Sequence, residues 1–290
     1  MNESLVFRHH AMATHFEVRF HSAEKQYGSE ASLAIFAVCD RLEELLSRYR
    51  ETSDISRVNN LADGETARLS RDAFRCLGLA EEFHQLTRGA FDPGLGAWTL
   101  PGTEPPPGRG QIVLDSASCR VKRVGGPVSL DLGAIGKGYA LDRMAEELLE
   151  WEIGPALLSA GGSSLLAVGA PQVPDAPESF AGWEIGLEIG GNRRRVFLKD
   201  GAVGSSGSTV QGEHILDPAD GVPRMRYART WAFDSSAAAA DALSTAWMNL
   251  SPEEITEICR QRPGTGAVIG LAERPELVTI ALPEGIRWDS

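Results

Sequence analysis

Between Thr14 and Phe20 apolar and polar positions alternate. Phe16, Val18 and Phe20 face one way and His15, Glu17 and Arg19 the other, the pattern of a half-buried strand. From Ala31 to Tyr49 the period lengthens to that of a helix, with Val38, Leu42, Leu45 and Tyr49 on one stripe. Ser70 is placed to cap a second helix running to about Leu86, with Phe74, Leu77 and Phe83 turned inward. The segment Pro101–Gly110 (PGTEPPPGRG) suits neither period and predicts an exposed loop.

Short strands are expected at Ile112–Leu114 and Val128–Leu132, then a helix from near Lys137 to Trp151 carrying Ala140, Met144 and Leu148 on one face. Ala156–Ser159, Leu165–Val168 and the alternating Trp183–Ile189 read as further strands. A helix over Ala237–Asn249 follows. Ser251-Pro252-Glu253-Glu254 opens another, with a capping side chain, proline in the first turn and acids at the positive end. Val268–Leu271 and Leu277–Ala281 close the chain as strands. Strands cluster, with helices between the clusters, so the expected class is α+β with largely antiparallel sheets and packed helices. No repeat with a period of 20–50 residues is present, and residues 1–290 are expected to form one domain.

Charge narrows the choice of partner. With 28 basic against 40 acidic residues the chain carries −12 at pH 7, which repels phosphate backbones and anionic lipid heads. Nucleic acid is therefore not expected as a partner, and no apolar run approaches the length of a membrane span. The first residues lack the apolar core of a secretion signal, so the chain as written is expected in the cytoplasm; a chain trimmed of an export signal would instead be an exported one. Cys39, Cys76, Cys119 and Cys259 are scattered without a CxxC pair, which favours reduced thiols over a zinc cluster or a disulfide framework.

Four segments could carry chemistry. In Ser129–Asp142 (SLDLGAIGKGYALD) a strand ends at Asp131, Gly133, Gly136 and Gly138 allow a tight turn, and a helix starts near Lys137. That is an anion site with a lysine added, or simply a strand-to-helix corner. Its GxxGxG spacing fits neither the dinucleotide fingerprint nor the Walker pattern. In ADALSTA, Asp241 and Thr245 are four apart and share a helix face. One carboxylate and one hydroxyl suit magnesium, which fills its octahedron with water and phosphate oxygens, although a small-residue helix packed on a sheet leaves the same pattern.

The third segment is Gly204–Gly221, where Ser206-Gly207 reads as a loop and His214 sits in a polar, glycine-rich setting that suits a working imidazole as well as a structural one. The fourth is Gly89-Ala90-Phe91-Asp92-Pro93, a turn that could line a flat-ring pocket; YRETSDISRVN, from Tyr49 to Asn59, is a helix end that either caps or binds. His9, His10, His15 and His21 lack helical spacing and read as a solvated N-terminal segment.

Taken together and in this order, AMATHFEV, YRETSDISRVN, GAFDP, LDLGAIGKGYALD, LLSAGG, GSSG, EHILDPADG and ADALSTA resemble the ApbE family of FAD:protein FMN transferases. The resemblance implies an α+β fold around antiparallel sheet. It also implies FAD as substrate in a cleft and, with magnesium, transfer of the FMN half to a threonine or serine of a flavin-acceptor protein with release of AMP. Position by position it implies FAD contacts from Met12, Tyr49, Ala90, Phe91, Asp92, Asp131, Lys137 and Ile215. The metal ligands would be Ala134, through its backbone oxygen, with Asp241 and Thr245, and His214 would be the general base. Two alternatives remain open on the residues themselves: an FAD pyrophosphatase that yields FMN and AMP with water as nucleophile, and a non-catalytic FAD-binding protein.

Overall fold

The N-terminal alternation buries what it says it should. Phe16, Val18 and Phe20 are fully buried, each worth about 2 kcal/mol in apolar surface removed from water. The computed structural model describes residues 4–21, 23–95, 110–171, 182–207, 226–271, 276–283 and 286–288. Among these the chain runs β1 (Leu5–Ala11), β2 (Thr14–Phe20), α1 (Lys25–Leu46), α2 (Asp54–Asn59), β3 (Thr66–Arg68) and α3 (Arg71–Leu86). Next come β4 (Gln111–Asp115), β5 (Arg120–Val124), α4 (Gly133–Glu150), β6 (Ala156–Ala160) and β7 (Ser164–Val168). The remainder is β8 (Trp183–Ile189), β9 (Asn192–Leu198), β10 (Gly201–Gly207), β11 (Tyr227–Asp234), α5 (Ala237–Trp247), α6 (Pro252–Gln261), β12 (Gly266–Leu271), β13 (Leu277–Ala281) and β14 (Arg287–Trp288).

Eight strands form one antiparallel sheet in the order β1-β2-β6-β7-β10-β11-β12-β13. Two three-stranded sheets, β14-β9-β8 and β3-β5-β4, flank it. Period-2 geometry splits the large sheet between two cores. Along β10 and β11, Ala202 and Ala232 face the helices, whereas Val203, Trp231 and Phe233 join Trp183, Ile185 and Leu187 of β8. The molecule is α+β, as the clustering of strands predicts. No helix among the described residues is long and apolar enough to cross a membrane. All four cysteines are free thiols, and burial pushes that of Cys39 up to about 12.

Helix ends with local signals lie where the sequence puts them. Ser70 caps α3 through Ala73 N–H, and Ser251 with Glu254 forms a complete capping box on α6. Helix α5 is capped from outside as well: Asp142 of α4 accepts from Ser236 Oγ (2.7 Å), Ala237 N–H (2.7 Å) and Ala238 N–H (3.0 Å). Asp142→Ala leaves those donors at a buried helix start without their acceptor, a loss of about 2–3 kcal/mol. The expected drop in Tm is roughly 5–10 °C, checked by melting the two proteins side by side; an unchanged Tm would remove Asp142 from this role.

Four sequence expectations are corrected. Tyr49 does not continue the α1 stripe. The helix stops at Leu46, because Ser53 and Ser56 turn their hydroxyls onto the carbonyls of Ser47 and Arg48, and Tyr49 is left 77% exposed. Val128–Leu132 is not a strand, since Leu130 pairs through both backbone groups with the side-chain amide of Asn59 (2.7 and 3.0 Å) in place of a neighbouring strand. Helix α4 begins at Gly133 rather than near Lys137, and Gly133, Gly136 and Gly138 lie inside it with ordinary negative φ. Ser206-Gly207 is no loop but the end of β10. The expected Pro101–Gly110 loop lies, apart from Gly110, outside the described residues.

Candidate active site

Helix α5 crosses α4 at Gly138, where a side-chain carbon would stand 2.1 Å from the Ala237 carbonyl oxygen; only glycine allows this approach. The crossing brings Asp241 against the first turns of α4. Its Oδ2 accepts from Gly138 N–H at 2.7 Å, the amide whose regular helical acceptor is the Ala134 carbonyl. Asp241 is 5% exposed. Burial raises its carboxyl above the usual range, while the Lys137 ammonium, the Ser164 hydroxyl and Gly138 N–H pull the other way and Asp142 adds to the rise. Lys137 Nζ itself donates to Gly133 O at 3.3 Å. One turn on from Asp241, Thr245 Oγ1 lies 3.1 Å from Ser206 Oγ of β10, which is also 3.0 Å from Ser244 Oγ.

At this crossing the Asp241 carboxylate meets the first turns of α4, which carry Ala134 and Lys137, and Thr245 follows one turn along α5; the oxygens on offer are a carbonyl, a carboxylate and a hydroxyl. Hard donors of this kind fit magnesium, which needs only one or two protein oxygens beside substrate phosphates. A carboxylate held in a setting that disfavours its charge fits too, because a bound cation would restore the balance. Among the described residues no group of three or more His, Cys, Asp or Glu side chains is placed to hold a metal ion.

Asp131 and the GAFDP turn are tied to this crossing by hydrogen bonds to backbone groups. Asp131 Oδ1 accepts from Gly133 N–H (2.8 Å), holding the entry to α4, and Asp131 N–H donates to Pro93 O (2.7 Å), joining the GAFDP turn to the glycine corner. On the other side of that turn, Asn249 Nδ2 donates to Ala90 O at 3.2 Å. Phe91 is 2% exposed, its carbonyl accepts from His84 Nδ1 (3.0 Å), and Asp92 Oδ1 receives Gly94 N–H (2.7 Å). The Phe91 ring therefore belongs to the core, not to a ring pocket, and this turn offers a ligand its backbone and Ala90. A cavity of about 810 Å³ on the α6 side shares Ala90, Asp92 and Asn249 with this turn but does not reach Asp241 or Lys137.

Met12 and Ala13 form the tip of the β1–β2 hairpin, both with left-handed backbone (φ 50° and 56°), a conformation that a two-residue turn of this hand requires and that side chains disfavour. Met12 N–H donates to Glu43 Oε2 (3.0 Å), whose other oxygen lies 3.5 Å from Arg50. His9 on the same hairpin stacks on Phe36 and bonds Asp40 (2.7 Å), so it is packed rather than simply solvated. His214 and Ile215 lie outside the described residues. Sequence reading missed Asn249, Ser206 and Arg48. For Asn249 a signal existed, since Asp241, Thr245 and Asn249 keep a four-residue spacing.

Known proteins similar to this chain agree on one family. The family model described as "ApbE family" matches residues 12–269. The chain is 25% identical to the FAD:protein FMN transferase of Treponema pallidum, over 87% of this chain and 80% of that one. It is 26% identical to the FAD:protein FMN transferase of Klebsiella pneumoniae, over 69% of each. The crystal structure of the ApbE protein from Thermotoga maritima superposes with a TM-score of 0.79 at 26% identity, covering 96% of this chain and 97% of that one. A match that takes in the Met12 hairpin, the glycine corner and the Asp241 helix together, in a common fold, means that the chain belongs to the ApbE family.

Proposed function

We propose that this protein transfers FMN from FAD to a threonine or serine hydroxyl of an acceptor protein and releases AMP, with magnesium at the crossing of α4 and α5. The observation that carries the reading is the buried Asp241 carboxylate held against the first turns of α4, within the field of Lys137. The names borne by the relatives from Treponema and Klebsiella support it. In this reading Ala134 O, Asp241 and Thr245 would hold the cation, which when bound neutralises charge on the diphosphate. Lys137 adds positive charge at the same corner. Exposed Tyr49 offers a flat face for a ring, and Met12, Ala90, Phe91, Asp92, Asp131 and Ile215 complete the contacts to FAD.

The acceptor hydroxyl oxygen attacks the phosphorus of the FMN half, the bond from that phosphorus to the bridging oxygen breaks, and AMP leaves with that oxygen. The hydroxyl proton goes to His214, the side chain of the kind that takes up and releases a proton in such a step.

Incubation with FAD, magnesium and a flavin-acceptor domain, followed by mass spectrometry of the acceptor, is expected to show an added FMN on a threonine or serine. His214→Ala is expected to slow that addition on the order of 10²–10⁴-fold. AMP formed with an unmodified acceptor would replace transfer with hydrolysis, and FAD binding with no AMP under any condition would leave a binding protein.

A further inference from the structure

We propose that Arg48 is a positioning residue for flavin binding, joining the Tyr49 ring to the Asp131 carboxylate across one end of the site. The proposal rests on the FAD reading above and adds a side chain which that reading does not use. Arg48 is a cation with a side chain only 9% exposed, and its Nε lies 3.2 Å from Asp131 Oδ2. Its Nη2 donates to the Tyr49 hydroxyl at 2.9 Å, and its Cζ stands 4.7 Å from the centre of the Tyr49 ring. One guanidinium therefore fixes two groups that come from distant parts of the chain.

Its own base is rigid. Ser56 Oγ donates to Arg48 O at 3.0 Å, and Ser53, which also caps α2, donates to Ser47 O. The guanidinium serves two ends. Tyr49 is 77% exposed and would otherwise sample several rotamers, so a fixed ring loses less entropy when a flat ligand covers its open face. Asp131, at the mouth of the glycine corner, carries a negative charge beside the place proposed for a diphosphate. With Gly133 N–H on Oδ1 and the Arg48 guanidinium in ion-pair contact with Oδ2, that charge is neutralised where it would repel. Lysine could supply the charge but not the planar fork that reaches both partners.

The test is a fluorescence titration of the full-length protein with FAD, comparing wild type, R48Q, D131N and the double variant. R48Q is expected to bind FAD about ten-fold more weakly. In steady state its KM for FAD rises while kcat at saturating FAD stays within about three-fold, since Arg48 touches no reacting atom. In the D131N background the same change costs less than in wild type, because the charge it neutralises is gone and only the hold on Tyr49 is lost. Unchanged affinity in R48Q, or an equal cost in both backgrounds, overturns the proposal. If R48Q does not fold, R48M, which also removes the charge, is read in its place across the same two backgrounds. A wild-type protein that binds no FAD strikes the flavin reading itself and takes this proposal with it.

Discussion

Asp241→Asn is expected to lower FMN transfer by on the order of 10³-fold while making the metal-free protein more stable at neutral pH. The two effects share one cause. The carboxylate is buried and its pKa is raised first by desolvation, so the folded protein holds that proton more tightly than the unfolded chain does. A raised folded value means that Asp241 favours the native state at low pH. This contribution is lost as pH climbs from the unfolded carboxylate value of about 4 through the higher folded one. Above that window the ionised group is a standing cost. Asparagine keeps an acceptor for Gly138 N–H and never ionises. Thermal melts of both proteins without metal across pH 4–8 should diverge as pH rises, the variant ending higher. Added magnesium should raise the Tm of wild type alone. A variant that melts lower at neutral pH, or that still gains from magnesium, would take Asp241 out of the cation site.

The half of this site that lies on one helix was legible in the sequence, and the half that crosses between elements was not. Asp241 and Thr245 share a face because they are four residues apart, a purely local fact. That Asp241 comes within the field of Lys137 depends on how α5 lies on α4, which spacing does not encode; the family resemblance supplied it. Local chemistry also fixed Ser70 and Ser251 as caps, and alternation delimited β8. The misreadings occur where a residue serves a neighbour rather than its own segment. Gly133, Gly136 and Gly138 suggest a turn because glycine permits one, yet they lie in a helix, and at Gly138 the reason is the passage of α5. Ser206-Gly207 looks like a loop because its residues are small, yet it ends β10, with Ser206 Oγ 3.0 Å from Ser244 Oγ of α5. The Asn59 amide replaces a strand partner for Leu130, so an apolar run that reads as a strand has no sheet to join. Arg48 and Asp131 are too far apart in the chain for any pattern to pair them.

Gly138→Ala and Gly204→Ala are each expected to cost about 3 kcal/mol or more, a fall in Tm of roughly 6–12 °C, and to take transfer activity with them. A methyl at Gly138 would meet the Ala237 carbonyl oxygen at 2.1 Å, and one at Gly204 the Ala240 carbonyl oxygen at 2.2 Å. Both obstacles are backbone atoms of α5, so no side chain can swing aside. The helix is wedged between α4 and β10, so relief from either side moves Asp241 relative to the first turns of α4. Gly136 provides the control. It lies in the same helix, but a methyl there meets nothing within 4 Å. Gly136→Ala should therefore show only the helix-propensity gain of up to about 1 kcal/mol. Melting the three variants beside wild type separates the effects: a Gly138→Ala protein as stable as Gly136→Ala would mean that α5 can back away from α4 without loss. In that case the position of the carboxylate would have to be set by something other than the absence of a side chain at Gly138.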